Sequence, residues 1–275
     1  MEERLKRLVQ RTVLVLLGAV LYEILAIRID NPVLLPPMEL ILPHLFYFFS
    51  DVVGTGSMAF NLLVTLLRMT VGLLLSAAVA IPLGLLMGMS PLVRRIFAPP
   101  VELLRPICPC VWLPFALIIF KTNTLVTLSG FRYSNTILDE LNLAMIFIVF
   151  LGGFFPILLD TIHGASTVRQ VHVEAALMMG TRSSQIFRKV IFPSAVPSII
   201  QGIRIGIGVA WMTVVVGEML PGSDAGIGHL IMFAFEIAET DVLVAGMIII
   251  GLTGLLLNSA LNLTNTFCRW QAKEV

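Results

Sequence analysis

Charge is scarce in this sequence. Of its 275 residues only 13% are charged and 57% are hydrophobic, whereas soluble domains carry about a quarter charged residues. So little charge cannot cover a water-facing surface, which excludes an ordinary soluble domain and favours a protein embedded in lipid. The formal net charge is +1. No basic face is available to neutralise phosphates, so nucleic acid is excluded as a partner.

Cysteine and catalytic motifs are scarce as well. The three cysteines, Cys108, Cys110 and Cys268, are too few for a disulfide framework. Cys108 and Cys110 lack a nearby His or acid cluster, so we expect apolar packing and predict no metal site and no cofactor. There is no H-E-x-x-H, no G-x-S-x-G and no G-x-x-x-x-G-K-[ST] phosphate loop. We therefore predict no catalytic residues, and any ATP hydrolysis must occur on a partner protein.

Long apolar runs are plentiful. A helix needs about 20 mostly apolar residues to cross a bilayer with its backbone polar groups satisfied. Six runs meet this need: the N-terminal run up to Ile27, then 69–93, 98–120, 141–159, 190–217 and 242–268. The first resembles a secretory signal but lacks a small-residue cleavage site. We interpret it as a retained membrane helix, with cleavage as the alternative.

Most Lys and Arg residues fall on one side of the membrane if these runs alternate in direction. They lie in the N-terminus, the loop holding Arg94 and Arg95, the segment after the fourth run, and the C-terminal tail. Basic residues favour the cytoplasmic side. The sequence thus predicts an all-α, polytopic membrane protein with six transmembrane helices and both termini in the cytoplasm. Residues 31–50 are apolar but rich in proline, and we expect an extracytoplasmic interfacial helix there.

The longest predicted cytoplasmic loop, residues 167–193, has the pattern of two short helices. Apolar residues at helical spacing run to Met178, and Gly180 is placed to end this helix in a left-handed conformation. Thr181 is a candidate N-cap for a second helix over 182–190, which Pro193 is expected to separate from the fifth span. An amphipathic element of this kind suits docking into a groove on a soluble partner.

The same loop resembles a known family. Glu174-Ala175-Ala176, three residues, Gly180, nine residues and Val190-Ile191-Phe192-Pro193 is similar to the EAA loop of binding-protein-dependent ABC importer permeases. The branch for nitrate, sulfonates, taurine or bicarbonate is the most similar, over 62–90, 102–120, 150–162 and 202–231. The chain departs from this branch in residues 121–142, an insertion on the outer side.

The resemblance implies an inner-membrane permease subunit with the fold of type I ABC importers, multi-pass in a bacterial cytoplasmic membrane. It implies import of a small anionic solute, with a vitamin precursor or aromatic solute as the alternative and a secondary transporter or channel as a further one. The implied partners are two ABC ATPase subunits, a second permease copy, identical or related, an extracytoplasmic substrate-binding protein and the lipid bilayer. The implied ATPase-coupling residues are Glu174, Ala175, Ala176, Leu177, Gly180 and Thr181.

The implied domain organisation has three parts. Residues 1–60 form the first transmembrane helix and the interfacial segment, and 61–265 form the transmembrane permease domain with the coupling loop 167–193. Residues 266–275 form a cytoplasmic tail.

Several polar residues lie within or beside the apolar runs. A charge at the bilayer centre costs at least about 2.5 kcal/mol, so such residues should pair or face a cavity. We expect Glu102 and Arg105 to pair locally, and we leave pairing and pathway lining equally open for Arg68 and Arg204. Prolines in the third span free carbonyl groups, which suits a pathway. The pathway-lining candidates are Thr65, Arg68, Pro109, Trp112, Arg204 and Glu218.

Overall fold

A computed structural model describes residues 2–29, 31–51, 54–120, 140–167, 178, 180 and 183–271. The regular structure in these ranges is helical, apart from an isolated β-bridge between Asp51 and Ser57. The helices are α1 (Glu2–Ile29), α2 (Met38–Phe46), α3 (Met58–Met89), α4 (Pro91–Leu104), α5 (Leu113–Phe120), α6 (Leu143–Ser166), α7 (Ser183–Ile186), α8 (Phe192–Met219), α9 (Ile227–Glu236) and α10 (Thr240–Gln271).

Four of the described helical stretches are long and apolar enough to cross a membrane. They are Met58–Met89, Leu143–Ser166, Phe187–Met219 and Thr240–Ala260. They coincide with four of the predicted runs, although α3 begins earlier than its run because residues before Met69 are also apolar. A fifth span results if α4 and α5 are counted together. The total of six spans and the side of each terminus stay predictions.

The predicted third span is not a straight helix. Pro91–Leu104 and the stretch Pro109–Phe120 meet at an angle of 89°. A 3₁₀ turn, Pro109–Trp112, precedes α5. Pro106 and Pro109 both lack the N–H that would continue the hydrogen-bond ladder of α4, so the chain leaves the helix and turns.

The fifth span differs from its prediction at its N-terminal end. We expected Pro193 to separate a short helix from the span, but α7 continues through a π-helical turn, Phe187–Ile191, directly into α8. The Phe192 N–H donates to the Phe187 carbonyl, one residue further back than in an α-helix. Because a π-turn shifts the register by one residue, the helix passes Pro193 without a break, and the prediction of a separate helix is wrong.

The chain divides into two compact units. One comprises Met1–Asn61 and Leu230–Gly251, and the other Leu62–His229 and Leu252–Val275. Within the first unit, the His44 Nε2 and Asp241 Oδ2 atoms lie 2.9 Å apart.

In the second unit, α6 packs closely along α8. At Gly202, a Cβ atom would lie 2.9 Å from the Asp160 Cβ and 3.1 Å from the Ile157 Cα. At Gly164 it would lie 2.6 Å from the Ser198 Cβ. Small residues at such crossings let helix backbones approach closely in lipid. These two helices lead into and out of residues 167–182, so the pair holds both ends of the predicted coupling segment.

Candidate functional site

The second unit contains a buried arginine. Arg68, on α3, is 1% exposed. Its Nη1 donates to Glu218 Oε1 at 2.9 Å, to Ser223 Oγ at 2.9 Å and to the Ala225 carbonyl at 2.7 Å. Its Nε and Nη2 donate to the Glu140 carbonyl at 3.0 and 2.6 Å. Each nitrogen of the guanidinium thus has an acceptor.

The acid in this pair is bonded just as fully. Glu218, on α8, accepts from Thr65 Oγ1 at 2.8 Å and from the Gly228 N–H at 3.2 Å. Thr65 in turn accepts from the Ile227 N–H at 3.0 Å. We call Thr65, Arg68, Glu218 and Ser223 the buried charge cluster. It joins α3, α8 and the turn after α8.

Of the two alternatives left open for Arg68, pairing is therefore confirmed. A buried ion pair is tolerated where its remaining donors and acceptors are satisfied, as they are here. Through Ser223 and Ala225 the cluster also connects Arg68 to the turn between α8 and α9.

A separate, partly enclosed cavity of about 350 Å³ lies in the same unit. Its walls are the end of α4 with the turn after it, α6 and α8. Pro109 lines it, as do Arg105, Phe155, Asp160 and Val209. Of the six predicted pathway residues, Pro109 is the one found on this wall.

Arg105 and Asp160 are two opposite charges that face this cavity. Arg105 and Glu102 are both exposed, and no ion pair between them is present in the described structure, so the expected local pairing is not observed. Exposed pairs gain little because water competes for both charges.

Asp160 Oδ2 is buried and has no hydrogen-bond partner among the described residues. Buried polar atoms are nearly always bonded, so this carboxylate lacks part of its usual set of donors among the described residues.

The other predicted pathway residues lie apart. Arg204 lines a smaller cavity of about 100 Å³ with Trp211, Gly254 and Asn258. Trp112 is half-buried and its ring lies 5.8 Å from that of Phe115, edge to face. The six candidates therefore occupy several places and do not form one site.

Sequence reasoning missed Asp160. It stands just beyond the uncharged run 141–159. The signal available was an isolated acid between Leu159 and Thr161, still within an apolar helix.

Most of the predicted coupling residues, Glu174, Ala175, Ala176, Leu177 and Thr181, lie outside the described residues. Gly180 has φ = +73°, the left-handed backbone expected of it. Met178 is helical, and its side chain is 90% exposed. Met178 and Gly180 are therefore both exposed.

The comparisons with known proteins define the class. Residues 80–267 match the family described as the binding-protein-dependent transport system inner membrane component. That stretch is more than half of the chain, and the chain belongs to this family.

Individual relatives agree with this family. A Methanocaldococcus jannaschii protein, named provisionally as an ABC transporter permease, is 43% identical over 93% of this chain and 89% of its own length. The taurine transport system permease protein of Escherichia coli is 31% identical over 90% of this chain and 84% of its own length. The nitrate import permease protein of Synechocystis is 32% identical over 80% of this chain and 74% of its own length.

The fold is shared with a solved structure of the MetNI methionine ABC transporter in inward-facing conformations. The TM-score is 0.59 at 19% identity, covering 74% of this chain and 93% of that one. The predicted all-α, type I importer fold is thereby confirmed. The protein is a multi-pass inner-membrane permease subunit of an ABC importer, and its named relatives are permease subunits rather than ATPases.

Proposed function

We propose that this permease forms the translocation pathway for a small anionic solute: nitrate, a sulfonate such as taurine, or bicarbonate. The observation that carries the proposal is Arg105, a guanidinium on the cavity wall without a hydrogen-bond or ion-pair partner among the described residues. A planar guanidinium suits the oxygens of nitrate, sulfonate and carboxylate groups. The relatives named for taurine and nitrate transport support the same solute class.

The proposed partners are two ATPase subunits, a second permease copy and an extracytoplasmic binding protein. The two ATPases would engage the segment 167–193, with Glu174 as the anchoring charge. A docked segment transmits motion only if the helices behind it are stiff. The close α6–α8 contact at Gly202 and Gly164 supports this, because movement of the segment would displace both helices together.

Uptake into proteoliposomes tests the solute class. The permease is reconstituted with its ATPases and binding protein, and ATP-driven uptake of labelled taurine, nitrate and bicarbonate is measured. We expect uptake of at least one anion, reduced about tenfold by Arg105→Gln, because a charged hydrogen bond contributes roughly 1.5–3 kcal/mol.

Arg94→Gln is the matched control. Arg94 is an exposed arginine on α4 that does not line the cavity, so uptake should be unchanged. Uptake of none of the anions, with ATP hydrolysis intact, would contradict the solute class. Equal loss in both variants would contradict the role of Arg105.

A further inference from the structure

We propose that Asp160 makes the cavity selective for oxyanions that also carry an N–H or O–H donor. The proposal rests on the proposed function, since it concerns solutes that pass through this cavity. This selectivity divides nitrate, the sulfonates and bicarbonate into two groups. Taurine and bicarbonate bring a donor together with their oxyanion, whereas nitrate and a plain alkanesulfonate bring oxygens alone.

The two charges of the cavity do not pair with each other in the described structure. Arg105, at the end of α4, and Asp160, on α6, both line the wall. The described structure contains no ion pair or hydrogen bond between them, and both side chains line the cavity. A solute with complementary groups could contact both charges at once.

Among the described residues, none supplies a donor to the Oδ2 atom of Asp160. Its Oδ2 is shielded and unbonded. On one side the backbone of α8 closes against it, since a Cβ at Gly202 would come within 2.9 Å of the Asp160 Cβ. Gly202 itself offers no polar side chain. A solute can approach the Asp160 carboxylate from the cavity, because Asp160 lines the cavity wall.

A solute that enters the cavity changes which groups can donate hydrogen bonds to the Asp160 carboxylate. Water can donate to Asp160 while the cavity is empty, and an entering solute displaces it. A solute whose groups reproduce those hydrogen bonds keeps its affinity, and one that cannot loses it. An oxyanion without a donor gives the Asp160 carboxylate no hydrogen bond and also brings like charge towards it.

Competition binding tests the proposal with three sulfonates of similar size. The permease is purified with its ATPases in nanodiscs, without binding protein, so that the cavity alone selects. Ligand-observed NMR compares taurine, which carries an ammonium, isethionate, which carries a hydroxyl, and ethanesulfonate, which carries neither. The expected order is taurine, then isethionate, then ethanesulfonate, with taurine about tenfold tighter than ethanesulfonate because its donor is charged.

Three variants assign the effect to residues. Asp160→Asn keeps the shape and removes the charge, and should reduce the taurine preference about tenfold. Arg105→Gln should weaken taurine and ethanesulfonate by the same factor and leave their ratio unchanged. Glu102→Gln, which neutralises an exposed acid on α4 that does not line the cavity, should change neither affinity.

The proposal is overturned if the wild-type protein binds the three sulfonates equally or binds none of them. It is also overturned if Asp160→Asn weakens taurine and ethanesulfonate in parallel. Should that variant fail to assemble with the ATPases, the wild-type order decides by itself. Failure of the proposed function is distinguishable, because it would show as no ATP-driven uptake of any anion in proteoliposomes with binding protein.

Discussion

Replacing Glu218 by glutamine removes one charge from the buried charge cluster without changing its shape. Glu218 Oε2 accepts from two donors, the Thr65 hydroxyl and the Gly228 N–H, while Oε1 accepts from Arg68. A glutamine amide has one acceptor oxygen and one donor nitrogen. Whichever way it is turned, a buried donor is left facing the NH₂ group.

The larger part of the cost comes from Arg68, which stays buried with no counter-charge. Breaking a buried pair by removing one partner costs about 3–5 kcal/mol. For a chain of this size that corresponds to a fall in Tm of roughly 6–20 °C. The double variant Arg68→Met with Glu218→Gln should lose less than the two single losses added together, because neither buried charge remains without its partner.

Thermal unfolding in detergent, followed by the fluorescence of the three tryptophans, measures these changes. Asp224→Asn is the matched control, because Asp224 is an exposed acid in the same turn and its substitution should cost less than about 0.5 kcal/mol. A Glu218→Gln protein that melts within 2 °C or so of wild type would show that the pair does not hold this turn.

Other substitutions test the packing and the coupling segment. Thr65→Val removes a buried hydroxyl that makes two of the cluster's hydrogen bonds. It should lower the free energy of unfolding by about 1–3 kcal/mol in the same melting assay. The control Thr70→Val, at an exposed position of α3, should lower it by less than about 0.5 kcal/mol. Gly202→Val should lower the melting temperature by forcing α6 and α8 apart. Gly208→Val on the same helix should not, because nothing lies within 4 Å of a Cβ there. Equal changes in melting temperature would contradict the close contact of α6 with α8. Gly180→Ala places a side chain at φ = +73°, a backbone conformation that costs roughly 1–2 kcal/mol for a residue other than glycine. The variant should reduce ATP-driven uptake per inserted molecule. Unchanged uptake would show that this turn is not needed for coupling.

The sequence predicted those parts of the fold that depend on solvent and local geometry. The apolar runs became helices because a backbone in lipid has no other way to bond its polar groups. Arg68 and Glu218 were recognisable because a charge in an apolar run must find a partner. Gly180 was recognisable because a left-handed residue favours glycine.

Features that depend on which helices meet were not predictable from the sequence. Prolines indicated a kink in the third span, but its 89° angle depends on the packing of α4 and α5. Asp160 became a cavity residue only through the positions of α4 and α8. The glycine contacts of α6 with α8 likewise need the pairing of two helices that the sequence presents separately.

The central claim is that residues 167–193 couple this permease to ATPase subunits. Site-specific cross-linking tests it most directly, with Met178→Cys, a position 90% exposed, in a protein whose three native cysteines are replaced by serine. We expect this cysteine to cross-link to the ATPase in the assembled complex, and a cysteine at Val111, which is 68% exposed in the broken third span, to remain free. A complex that assembles and hydrolyses ATP while Met178→Cys forms no cross-link to the ATPase would contradict the account.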